Sequence, residues 1–134
     1  MAKLATNILA TLSLLSVAAC ANTSGPAAGT AFVTDTSAAS VAFRSLRVES
    51  GSSGQASLVK GQLHRTGHEP VRFGHVDYVV RDAQGNVREE GWVEHSAAIR
   101  LRHAHRPSLF SINLKQPVTQ GDQIQLTYHT SSHS

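Results

Sequence analysis

From Val41 onward the chain alternates apolar and polar residues with a period of two, in short runs broken about every 8 to 15 residues by Gly, Pro, Asp or Asn. A period of two puts successive side chains on opposite faces of an extended chain, so each run reads as a half-buried strand. No stretch keeps a 3.6-residue period over three turns, which leaves an all-β domain and excludes a helical bundle or a βα alternation. Seven segments are expected to be strands: 41–49, 56–65, 71–81, 87–94, 97–105, 108–114 and 123–129. Val76, Tyr78 and Val80 share one face, as do Phe110, Ile112 and Leu114, and Ile124, Leu126 and Tyr128; these nine are the expected core. Asp82 to Asn86 reads as a short hairpin loop in which Gly85 or Asn86 takes positive φ, and Gly61 and Gly74 mark bulges or close packing. Seven short strands in about 90 residues fit an antiparallel β-sandwich of immunoglobulin or fibronectin-like type, here without a Cys…Trp…Cys signature.

Ahead of this domain, Met1-Ala2-Lys3 is followed by an apolar run of about 14 residues, Leu4 to Val17, interrupted by Thr6, Asn7, Thr11, Ser13 and Ser16. A bilayer-spanning helix needs roughly 20 mostly apolar residues, so the run is too short for a stable anchor and has the anatomy of a secretory signal. It ends in Val17-Ala18-Ala19-Cys20, which resembles the lipobox of bacterial lipoproteins. The resemblance implies cleavage between Ala19 and Cys20, a diacylglyceryl thioether on Cys20 and acylation of its new amine. Ala21, where that family can carry Asp, implies sorting to the outer membrane with the domain facing the periplasm. Each further buried CH₂ adds about 0.8 kcal/mol to membrane attachment, so two or three acyl chains hold the protein firmly. Cys20 is the single cysteine, and a thioether leaves no thiol for the disulfides an exported domain can otherwise use. The fold must then rest on its core alone.

The expected organisation is therefore a signal peptide at 1–19, the lipidated cysteine with a flexible linker at 20–40, the sandwich at 41–131 and a tail at 132–134. The linker is small and polar, and about twenty such residues as flexible coil span roughly 25 Å.

Within the domain, Gly61-Gln62-Leu63-His64-Arg65, then Pro70-Val71, then Val76 to Val87 with Asp82-Ala83-Gln84-Gly85, form a strand, a Pro-containing loop and a strand ending D-x-x-G. This segment resembles small envelope β-sandwich lipoproteins of the FxLYD and YcfL-like type, over about residues 56 to 114. The Pro-Gly that precedes the later Phe strand in those proteins is absent here. The resemblance implies a periplasmic β-sandwich lipoprotein and brings no catalytic residues with it.

Composition narrows the function classes. The formal charge of +3 falls by one when Lys3 leaves with the signal, aromatics are 5% and are not interleaved with arginine, and nucleic acid is an unsuitable partner. There is no G-x-S-x-G, and His75 with Asp77 on one strand face has no serine in place to complete a triad, so no enzyme activity is expected. The unusual feature is eight histidines, which could carry the charge from +3 towards +11 in acid.

Histidines are also metal ligands. His103 and His105 would share one face of the expected 97–105 strand, a spacing that lets two imidazoles reach one Zn²⁺ or Cu²⁺. His75, with Asp77 two residues on, is the foremost candidate for a further ligand, ahead of His64, His68, His95, His129 and His133. On the other face of that strand Arg100, Arg102 and Arg106 have two readings: they neutralise Glu89, Glu90 and Glu94 of the preceding strand, or they contact anionic lipid or lipopolysaccharide phosphate. Trp92 is a core or sheet-covering aromatic, or, where exposed, an anchor for a protein partner. The reading that covers most of these features is a non-enzymatic, membrane-anchored periplasmic lipoprotein acting as a binding or assembly-accessory module, with an envelope protein as partner. The alternatives are a histidine-based Zn or Cu binder and a pH-responsive envelope-binding protein.

Overall fold

The computed structural model describes residues 29–37, 39–50, 56–69, 71, 74–96 and 105–130. Seven strands lie among them: β1 (Ala31–Asp35), β2 (Val41–Glu49), β3 (Leu58–Arg65), β4 (His75–Arg81), β5 (Val87–Glu94), β6 (Ser108–Asn113) and β7 (Gln123–His129). They form two sheets, one of four strands in the order β1-β7-β4-β5 and one of three in the order β2-β3-β6. The domain is all-β, a sandwich whose core lies between the inward faces of the two sheets.

Every residue of the expected core is buried, including Val76, Ile124, Leu126 and Tyr128 at no measurable exposure. From β3 come Val59 and Leu63, and from β2 Val41 and Val48. Close packing explains two glycines: a Cβ on Gly61 would collide with the ring of Phe110 directly opposite it in β6, and one on Gly74 with the Tyr128 ring. The hairpin loop forms as expected, with Gly85 at φ 87°.

The structure departs from expectation at β1, at the start of β4, at His105 and in the strand order. Ala31–Asp35, assigned to the linker, is a strand that pairs in parallel with β7, so the sandwich is not wholly antiparallel. Four of its five side chains are exposed or nearly so, and only Phe32 packs against the core, which is why it shows no apolar period. The strand expected at 71–81 begins at His75, after Gly74. Of the strand expected at 97–105, residues 97–104 lie outside the described residues, while His105 and Arg106 stand in a turn ahead of Pro107. Proline has no N–H to give to a ladder, so pairing starts only at Ser108. The strand order also departs from that of an immunoglobulin domain, whose first, second, fifth and fourth strands share a sheet. The likeness is to the architecture and not to the connectivity.

Candidate functional site

The outer face of the four-stranded sheet carries an unusual cluster. In β4 the alternate residues His75, Asp77, Val79 and Arg81 turn away from the core. Strand register then sets His75 between His129 of β7 and Glu94 of β5, and Asp77 between Thr127 and Trp92. His75 is 6% exposed despite its outward position. The His129 ring stacks on it at 5.6 Å between centroids, and the Trp92 indole meets it at 5.8 Å and 65°.

Asp77 joins the two imidazoles. Its Oδ1 is 3.4 Å from His75 Nε2, and its Oδ2 is 3.2 Å from His129 Nε2. Asp35, at the end of β1, adds a second carboxylate near His129. Its carboxyl is held below the ordinary value, first by the Ser37 backbone N–H that donates to it at 2.9 Å, then by the Ser37 side chain, with a smaller attraction from His129. The cluster combines two imidazole nitrogens with a carboxylate, a donor set able to share protons or to hold a cation. In the present rotamers no three of the described His, Cys, Asp or Glu groups converge on a single point.

A second cluster lies inside the sandwich and leaves no signal in the sequence. His95, just after β5, has its Nδ1 at 2.7 Å from Ser108 Oγ at the start of β6 and its Nε2 at 3.5 Å from the Tyr128 hydroxyl. Ser96 Oγ accepts the Leu109 N–H at 2.9 Å, and the Ser96 N–H donates to the Leu109 carbonyl at 2.8 Å. An imidazole beside a serine hydroxyl suggests a nucleophile and its base. Here, however, His95 and Ser108 are 5% and 2% exposed, and their bond joins the end of one sheet to the start of the other. The arrangement serves as a polar stitch across the sandwich. Burial pushes the Tyr128 hydroxyl up from the ordinary tyrosine value, keeping it neutral there.

The residues singled out by sequence fare differently. Ala19, Cys20, Arg100, Arg102 and His103 lie outside the described residues. His105 is exposed in a turn and not on a strand, and it belongs to no three-residue metal group among the described residues. Arg106 is exposed in the same turn. His75 is joined by Asp77 and His129. Trp92 is 52% exposed on β5, the terminal strand of its sheet, so it covers His75 while presenting indole surface to solvent. Glu89 turns inward, where it accepts the Tyr78 hydroxyl at 3.2 Å and the Lys115 N–H at 2.9 Å.

No family model, curated protein or solved structure matches the chain. The character of the site therefore rests on its own residues. All six described histidines, His64, His68, His75, His95, His105 and His129, gather at the pole where β3, β5 and β7 end and β4 and β6 begin. Gly29 and the Gln120–Gly121 turn, which lead into β1 and β7, stand at the other pole, joined by the Gly121 N–H to the Gly29 carbonyl at 3.3 Å.

Proposed function

We propose that the chain is a lipid-anchored protein of the bacterial envelope, held in the outer membrane through acylated Cys20, whose β-sandwich acts in the periplasm as a non-enzymatic binding or assembly module. The observation that carries this reading is Val17-Ala18-Ala19-Cys20 at the end of a charged and then apolar leader. The fold adds a length argument. Ten residues separate Cys20 from β1, and at 3.3 to 3.6 Å each they span at most about 35 Å. The start of β1 is then held within that distance of the bilayer surface. An exposed indole on a terminal strand, flanked by polar side chains, is a suitable anchor for a protein partner.

Fractionation of bacteria producing the full chain tests the anchor. The wild type is expected in the outer-membrane pellet, and Cys20→Ser in the soluble or inner-membrane fraction with its leader attached. Equal release of both into the soluble fraction would contradict the reading.

A further inference from the structure

We propose that the outer face of the three-stranded sheet, with Arg44, Arg47 and Lys60, rests on an anionic lipid surface. The inference builds on the anchored reading above, which keeps such a surface within reach, and it names the side of the domain that meets it.

The two outer faces of the sandwich carry opposite charge. On the four-stranded sheet the charged outward side chains among the described residues are Asp35, Asp77, Glu90 and Glu94 against Arg81. On the three-stranded sheet they are Arg44, Arg47 and Lys60 against Glu49. Glu49 accepts from Arg47 at 3.0 Å and from Lys60 at 2.8 Å, so one carboxylate is shared by two cations and Arg44 adds a third. With histidines counted as neutral, one face holds four acids and one base, and the other three bases and one acid. Two stacked sheets lie about 10 Å apart, comparable to the screening length at 0.1 M salt, so an anionic bilayer attracts the near basic face and acts only weakly on the far one.

A bulge builds the basic face. In a regular strand residues three apart point to opposite sides, which would turn either Arg44 or Arg47 into the core. Here the pairing passes from Arg44 opposite Gln62 to Arg47 opposite Lys60, so Ser45 and Leu46 together face Gly61. Leu46 turns inward over Gly61, and Ser45 takes a φ of 52°, a region unfavourable for a residue with a Cβ. The extra residue keeps both arginines outward.

The same face presents Leu109 of β6, 53% exposed and in line with Gln62 and Arg44 across the three strands. Binding to a lipid interface grows with buried apolar area and with attraction to anionic headgroups, and this face offers both. The tether of at most about 35 Å allows the face to lie on the bilayer, which turns the opposite sheet, with Trp92, towards the periplasm.

Lys60 reports the contact, since it is one of only two lysines after Cys20. Full chain purified from membranes is mixed with vesicles of phosphatidylcholine, alone or with phosphatidylglycerol, and modification of Lys60 by an amine-directed reagent is followed by mass spectrometry. Each basic side chain near an anionic surface favours contact about fivefold. Lys60 modification is therefore expected to slow at least about fivefold with phosphatidylglycerol and to recover in about 1 M salt, where screening is nearly complete. Arg44→Gln/Arg47→Gln, which leaves Lys60 against Glu49, should lose the protection, and Arg81→Gln, on the other face, should keep it, each variant first shown to be folded by circular dichroism. Equal modification in the two kinds of vesicle, protection that survives in the double variant, or protection lost in Arg81→Gln would overturn the proposal. Protection that grows with protein concentration in detergent, without lipid, would assign the face to the acidic sheet of a second copy and overturn it as well. Flotation with pure phosphatidylcholine vesicles reports the anchor separately. A chain that floats with them but shows no lipid-dependent protection of Lys60 contradicts the basic face alone, and one that floats only with phosphatidylglycerol, with Lys60 protected, contradicts the anchor alone.

Discussion

Arg88, at the start of β5, reaches Asp122 in the turn before β7, and the carboxylate it meets is 1% exposed. The same carboxylate accepts the Thr119 N–H at 2.7 Å, and the guanidinium also donates to Gln116 Oε1 at 2.9 Å and to the Pro117 carbonyl at 3.3 Å. One ion pair thus fastens the terminal strand of the larger sheet to the crossing from β6 to β7. Removing one partner of a buried pair leaves an uncompensated charge and costs about 3 to 5 kcal/mol. Arg88→Ala is therefore expected to lower unfolding stability by about 3 kcal/mol in urea titration, far more than loss of an exposed pair.

Gly91 is fixed by its neighbour across the hairpin. It faces Tyr78 in the register, and a Cβ there would lie 2.8 Å from the Tyr78 hydroxyl. Tyr78 is buried and bonded to Glu89, so it has little room to retreat. Gly91→Ala is expected to destabilise by about 1 to 3 kcal/mol, read from the thermal or urea midpoint, as overpacking does elsewhere.

Alkaline pH should weaken the fold through the two tyrosines. Burial raises Tyr78 above the ordinary 10.0, helped by the charge and hydrogen bond of Glu89, and burial raises Tyr128. A folded-state value above the unfolded one gives stability that is whole below pH 10 and is lost as pH rises through the folded values. Tyrosinate absorbance and circular dichroism followed together should show unfolding coupled to ionisation above pH 10, with Tyr78→Phe ionising less.

Acid acts at the opposite end, on the β4–β5 hairpin. The Asn86 side-chain amide, then its backbone N–H and that of Gln84, hold the Asp82 carboxyl below its ordinary 3.8. A lowered value means the contribution is present above 3.8 and is lost as pH falls through the folded value. Protection of the Gln84 and Asn86 amides, measured against their intrinsic exchange rates, is expected to fall below pH 3.8 in the wild type, and to be lower at neutral pH in Asp82→Ala than in the wild type.

The core was legible because its information is local. Val76, Tyr78 and Val80, or Ile124, Leu126 and Tyr128, announce a buried face through alternation alone, and the structure buries them. The outer-face cluster was only half legible. His75 and Asp77 are two residues apart on one strand, but His129 joins them through the pairing of β4 with β7, which no local pattern encodes. β1 escaped for the same reason: its partner β7 begins at Gln123, and its own side chains are mostly exposed. The His95–Ser108 bond needed the meeting of β5 with β6. His105 stands in a turn where a local signal did exist, in Pro107, whose missing N–H cannot extend the β6 ladder back to His105 and Arg106.

The mass of the mature amino terminus bears most directly on the central claim. Protein extracted from membranes with detergent should yield an N-terminal peptide beginning at Cys20, carrying diacylglycerol on sulfur and an acyl chain on nitrogen. An N-terminal peptide that begins elsewhere, or a Cys20 with a free thiol, would contradict the account.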